Sequence, residues 1–205
     1  GSRAVREKTS GGGAEGLFAA LKKRPSVTGV YLLMLLTNLF LYAFVVFLPQ
    51  RLAQFGIHSS VLISFYQAGM AVTAGIFGVL YGRIKRRFSF RGIAAAAHGA
   101  WIAAFVTAYL AVGPNPLIPA PLLFGVGQGL MMPTIILWVD SKAEKHNRGR
   151  MNALVPLSGM IGQFLSPVIL GQFTSAGERI EDVFAVCAAA ACASLLALWL
   201  PALLH

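Results

Sequence analysis

Beyond its first 24 residues, the chain is cut by charged side chains into five long uncharged runs, and their lengths restrict the fold more than any other feature. The runs are 26 residues (Pro25 to Gln50), 31 (Leu52 to Gly82), 48 (Gly92 to Val139), 27 (Met151 to Gly177) and 23 (Val183 to His205). Roughly 20 residues of helix cross the hydrocarbon core of a bilayer. Four runs can each cross once, and the longest has to cross twice, with Gly113-Pro-Asn-Pro116 as its turn. The expectation is an all-α membrane protein with six spans, at about 27–49, 60–82, 92–112, 118–139, 151–173 and 183–204. Residues 1–25 precede them as a linker, and 26–205 form one transmembrane bundle. A content of 57% hydrophobic and 12% charged residues agrees with a chain that lies mostly in lipid.

The cations give the bundle a direction. Of the 17 Lys and Arg, 15 fall in three clusters, Arg3 to Arg24, Arg83 to Arg91 and Lys142 to Arg150, and six spans bring all three to one side. The opposite loops hold only Arg51 and Arg179. By the positive-inside rule both termini are cytoplasmic, and the chain is expected in the cell (inner or plasma) membrane. A net charge of +10 would otherwise point to nucleic acid, but cations flanking apolar spans do not make such a partner. The first 24 residues lack the apolar core of a secretory signal. Gly1-Ser2 without Met reads as a cloning scar or a cut in mid-chain. Cys187 and Cys192, five apart in one apolar run, are expected to be packing residues, with no disulfide framework and no metal site.

Polar residues inside the spans separate faces that meet protein or water from faces that meet lipid. Tyr31, Asn38 and Tyr42 on span one recur at i, i+7 and i+11, one helical stripe with Met34 and Leu35 between. An Asn amide in hydrocarbon needs a partner, so that stripe faces the bundle or a wet cavity. Span two carries Ser64 and Gln67, then the small residues Ala71, Gly75, Gly78 and Gly82, which would let a neighbouring helix come close. Span four carries Gly125, Gly127, Gln128 and Gly129, then Met131-Met132-Pro133. Span five carries Gly159, Gly162, Gln163, Pro167 and Gly171. Spans three and six are alanine-rich with few polar groups and read as peripheral. For Asn38, Gln67 and Gln128, interhelical hydrogen bonding and substrate contact are both open. His98 is expected to bond a neighbouring helix, and Pro133 to bend span four.

No catalytic set is present in the sequence. Ser158-Gly159 invites comparison with the Gly-x-Ser-Gly turn of intramembrane serine proteases, but position 156 is Pro. No zinc-protease, phosphate-loop or dinucleotide pattern occurs. Every acidic residue lies at a membrane edge or outside it. The chain is therefore not expected to be an enzyme, and it calls for no cofactor or metal.

The loop Gly78-Val-Leu-Tyr-Gly-Arg83-Ile-Lys85-Arg86-Arg87 resembles the loop between the second and third helices of each half of major facilitator superfamily transporters. With six spans, the Gly125-Val-Gly-Gln-Gly129 to Pro133 pattern and Arg148-Gly149-Arg150 before span five, the chain from Pro25 to His205 resembles the carboxyl-terminal half of such a transporter. The amino-terminal half usually has Asp before the first Arg and Gly before the later basic pair. Gly82 and Lys85 stand there instead, as is more typical of the second half.

The resemblance implies one 3+3 half of the bundle, with spans one, two, four and five lining a central path and spans three and six facing lipid. It implies secondary active transport of a small molecule by alternating access, nearest in look to bacterial efflux members. The implied partners are the lipid bilayer, a small-molecule substrate and the amino-terminal six-helix half, or a second copy in a homodimer. A non-transporting scaffold is the remaining alternative. The substrate path is expected at Asn38, Tyr42, Gln67, Gln128, Met132 and Gln163, suited to a neutral or amphipathic molecule. The gating loop is expected at Gly78, Gly82, Arg83, Arg86, Arg87 and Asp140, with Arg83 pairing to Asp140 as a latch.

Overall fold

The computed structural model describes residues 25–143, 148–175 and 179–203. They form six long helices: α1 (Pro25–Gln54), α2 (Ser60–Lys85), α3 (Phe90–Leu110), α4 (Pro119–Lys142), α5 (Arg148–Ser175) and α6 (Ile180–Leu203). A single helical turn, Pro114–Leu117, joins α3 to α4. All six helices are long and apolar enough to cross a membrane, and no strand occurs among the described residues. The fold is the expected all-α, six-span bundle. The linker up to Arg24 and the acidic Glu144 and Glu178 lie outside the described residues.

Local chemistry sets the turns. After α1, Gly56 adopts φ +79°, a conformation that costs glycine nothing. There Ile57 N donates to Leu52 O and Gly56 N to Ala53 O, both at 3.0 Å, a paired closure that satisfies the last carbonyls of the helix. Ser89 caps α3 by accepting from Gly92 N at 3.1 Å. The longest uncharged run does cross twice. Pro114 opens the connecting turn and Pro119 opens α4, where the missing N–H is one that no helix would have satisfied.

The principal packing partners are α1 with α5, α2 with α4, and α3 with both α4 and α6. Helices of the first triplet thus pair with helices of the second, as in a 3+3 repeat. At the centre six aromatic rings from four helices meet: Phe40 and Phe44 (α1), Trp101 and Phe105 (α3), Phe124 (α4) and Phe184 (α6), each essentially buried. Phe44 and Phe124 are 4.4 Å apart between centroids, and Phe40 meets Trp101 edge-on at 5.6 Å. The alanines of α3 make this possible. Ala94, Ala97, Ala104 and Ala108 are all fully buried, and their small side chains bring α3 close enough for Trp101 and Phe105 to reach the core.

Burial sets α3 deeper in this bundle than its few polar groups suggest. Its most apolar window is 44% buried, whereas that of α2 is 0% buried. The most exposed helix is one assigned to the path, not one assigned to lipid. His98 is corrected: it bonds Ala94 O of its own helix at 2.7 Å, not a neighbour, with Trp101 edge-on at 5.2 Å.

Candidate functional site

Two seams position the polar residues, and both rest on glycine. In the α1–α5 seam a Cβ on Gly162 would lie 2.1 Å from Leu35 O, and one on Gly159 would lie 2.8 Å from Asn38 Nδ2. In the α2–α4 seam a Cβ on Gly125 would lie 2.2 Å from Met70 O, and one on Gly129 would lie 2.4 Å from Ala74 O. At Gly162, Gly125 and Gly129 the helix backbones touch, which only glycine allows, while Gly159 makes room for the Asn38 side chain. The stripe expected to serve this purpose on α2 does not. Gly75, Gly78 and Gly82 have nothing within 4 Å and lie on the exposed side of the helix. The close approach on α2 runs through Met70, Thr73 and Ala74 instead, because the glycines that admit it are on α4.

The α1–α5 seam carries an amide pair. Gln163 Nε2 donates to Asn38 Oδ1 at 2.9 Å, while Asn38 Nδ2 donates to Met34 O at 3.1 Å. Asn38 is 13 residues into α1 and Gln163 is 15 residues into α5, so each lies about 20 Å along its helix from the basic end. That is near the midpoint of both helices. Asn38 is 3% exposed and Gln163 is half-buried, so Gln163 is the accessible member. Nearer the basic end, the Tyr31 hydroxyl donates to Met151 O at 2.9 Å and ties the same two helices.

One and two turns beyond Asn38, Tyr42 and Val45 continue its face of α1. Tyr42 is half-buried and its hydroxyl makes no hydrogen bond among the described residues. Gln67 reaches across from α2 to donate to Val45 O at 3.4 Å. Asn38, Tyr42, Gln67 and Gln163 therefore follow one side of α1. Gln128 is buried in α4, and its Oε1 has no hydrogen-bond partner among the described residues. Met132, one turn on, is half-buried against the core.

At the basic end Arg83, Arg86 and Arg87 are exposed. Asp140 does not meet Arg83. It pairs with Arg148 at 3.2 Å, both side chains well exposed, because the connection between α4 and α5 is short enough to return Arg148 to the end of α4. An exposed pair of this kind contributes about 1 kcal/mol or less. Tyr81 is the buried residue of the loop motif, its hydroxyl hydrogen-bonded to that of Thr134 on α4 at 3.1 Å.

The opposite end holds a feature that the sequence reading missed. Arg51 Nη1 donates to Glu181 Oε2 at 2.7 Å and Nη2 to Ala111 O at 2.7 Å, and both charged side chains are buried. Gln54 accepts a further bond at 2.7 Å, and the guanidinium lies 4.7 Å over the Phe55 ring. Arg179 also binds Glu181 from outside. One knot thus fastens α1, the end of α3 and α6. The available signal was the presence of opposite charges in outer loops that are otherwise almost uncharged.

Six apolar helices, paired across two triplets and joined near mid-length by an amide pair, define a multi-pass membrane bundle. The model of the Major Facilitator Superfamily matches residues 30–204, and the chain belongs to that superfamily. Among solved structures it is similar to crystal structures of a mutant peptide transporter POT. The complex with sulfate is 14% identical with a TM-score of 0.67, and the complex with alafosfalin is 15% identical with the same score. Each match covers 84% of this chain and 37% of that one, and the likeness is one of fold. The chain thus spans little more than a third of the length of those transporters. No curated protein matches it.

Proposed function

We propose that this bundle is the carboxyl-terminal half of a secondary transporter that moves a small neutral or amphipathic molecule, in the efflux direction, by rocking against a second six-helix body. The observation that carries the reading is the Asn38–Gln163 pair. Amides are costly in hydrocarbon and occur there mostly with a purpose. This pair sits at bilayer mid-depth on the same side of α1 as Tyr42. The path is assigned to Tyr42, Gln163, Gln67 and Asn38, with Gln128 and Met132 on α4. It holds no charged side chain, which favours neutral cargo.

The second body packs on α2 and α5. The exposure of α2 supports this, with Val72 at 60%, Val79 at 85% and Phe65 at 69%, as does the open stripe Gly75, Gly78 and Gly82. The amino-terminal half of the same transporter is the assigned partner, and a second copy is the alternative. Arg83, Arg86 and Arg87 face the cytoplasm of a cell-membrane protein in this reading, with both ends of the bundle on that side. The loop Gly78 to Arg87 and Asp140 form the moving contact, with Asp140 exchanging Arg148 for a partner on the other body.

The test needs no knowledge of the substrate. In the full-length gene product lacking Cys187 and Cys192, Tyr42→Cys is exposed to a membrane-impermeant maleimide in right-side-out and inside-out vesicles. Alternating access predicts modification from both faces. Modification from neither face would leave a scaffold, and modification from one face only would leave a static cleft.

A further inference from the structure

A cavity of about 530 Å³ opens at the basic end, away from the path. Its volume is within the range of about 300–1,000 Å³ found for small-molecule sites. The walls are mostly apolar, with Leu32 and Leu36 of α1 and Leu198 of α6 among them, while Arg91 of α3 and Lys142 of α4 supply two cations. Neither cation has an ion-pair partner among the described residues. Trp138 forms part of the wall and is stacked on Phe90 at 5.7 Å, and Lys85 lies 4.0 Å over the other ring of that stack. Tryptophan gathers at the boundary between headgroups and acyl chains, so this wall marks that depth. The cavity is thus apolar below the boundary and positive at it.

The repeat sharpens the point. Under the correspondence of α1 with α4 and α6 with α3, Arg51 near the end of α1 matches Lys142 at the end of α4. Glu181, the second residue of α6, matches Arg91, the second residue of α3. One corner is closed by opposite charges, at 2.7 Å and buried. The matching corner has a cation in place of the carboxylate, so two like charges face an apolar cavity, and an anion has to come from elsewhere.

We propose that this corner binds an anionic glycerophospholipid of the surrounding leaflet, the phosphate between Arg91 and Lys142 and an acyl chain in the cavity. The proposal needs only that the bundle lies in a membrane, and it stands apart from the transport path. Residues 1–24 are the other candidate occupant, but they carry six cations and two acids. Their net charge repels the pair that an anionic lipid satisfies.

The test is native mass spectrometry of the full-length gene product released from micelles containing equal phosphatidylglycerol and phosphatidylcholine of the same chain length. Preferential retention of phosphatidylglycerol is expected. It should fall about five-fold in Arg91→Gln or Lys142→Gln and about twenty-five-fold in the double variant, while Arg86→Gln, outside the cavity, retains it. Ala197→Trp, which fills the cavity from α6 and leaves both charges, should lose retention as well, so the inference does not hang on the charge variants folding. Equal retention of the two lipids, or an unchanged preference in the double variant, overturns it. A gain in retention when residues 1–24 are replaced by a glycine-serine linker would assign the cavity to that segment and overturn it too.

Discussion

The central helices α1 and α4 solve the same packing problem and then diverge. Each lies in a seam where glycine lets backbones touch, Gly162 of α5 over Leu35 O on one side and Gly125 of α4 over Met70 O on the other. The glycines belong to the partner in the first seam and to the central helix itself in the second. The α2–α4 seam is finished with hydroxyls: Thr73 Oγ1 donates to Leu122 O at 3.0 Å and Thr134 meets Tyr81. The α1–α5 seam contains two amides bonded to each other near the midpoint of both helices. Close packing does not require an amide pair, since the α2–α4 seam, where the buried Gln128 Oε1 has no partner among the described residues, manages without one. A bonded amide pair in only one seam is the reason the proposed path is placed on the α1–α5 side.

The helix ends differ in the same way. Near its end α1 is anchored by the buried Arg51–Glu181 pair, whereas α4 ends in Lys142, for which no ion pair is found among the described residues. Removing one partner of a buried pair leaves an uncompensated charge. Glu181→Ala should therefore be the most damaging change, lowering stability in detergent by about 3 kcal/mol, as read from thermal unfolding. Lys142→Ala should cost less than about 0.5 kcal/mol. Equal losses would abolish the asymmetry between the two ends.

Substitutions at the seams come next. Gly162→Ala and Gly125→Ala each drive a methyl against a carbonyl and should cost about 1–3 kcal/mol, by a similar amount in both seams. A neutral result at either would show that its helices are farther apart than described here. Smaller still are the polar changes: Asn38→Leu and Thr134→Val should each cost about 1 kcal/mol or less. The two should separate in transport, which Asn38→Leu impairs strongly and Thr134→Val leaves near the unaltered rate. If both variants keep that rate, the amide pair is packing alone. A stability effect as small as that at Lys142 is expected at Gly78→Leu, which faces open space and should change unfolding by no more than about 0.5 kcal/mol. It should nevertheless impair transport, because the proposed second body would dock on that face.

What the sequence made legible follows from its one-dimensional quantities. The lengths of uncharged runs count the helices, and the clustering of cations defines the basic end. Which side of a helix meets a neighbour depends on its rotation, and there the reading failed. Gly75, Gly78 and Gly82 look in sequence like Gly125 and Gly129, yet the first set faces outward and the second meets backbone. Asn38 and Gln163 were each legible as polar residues in apolar runs, but their bond spans 125 positions, and nothing local announces it. Arg51 and Glu181 are 130 positions apart and read as unrelated edge charges. Asp140 was matched with Arg83 because both lie at helix ends on the basic side, whereas Arg148 is brought closer by a short connection. The aromatic core escaped notice because single phenylalanines in separate apolar runs have no period to reveal them.

The measurement that bears most directly on the difference between the seams compares two cysteines in the background lacking Cys187 and Cys192. Gln163→Cys sits at the amide pair of the α1–α5 seam, and Thr73→Cys sits at the matching contact of α2 with α4. With a membrane-impermeant maleimide, position 163 should be modified readily and position 73 should be protected, because in the proposed reading only the first borders the path. Equal modification of the two, or faster reaction at position 73, would contradict the assignment of the path to the α1–α5 side.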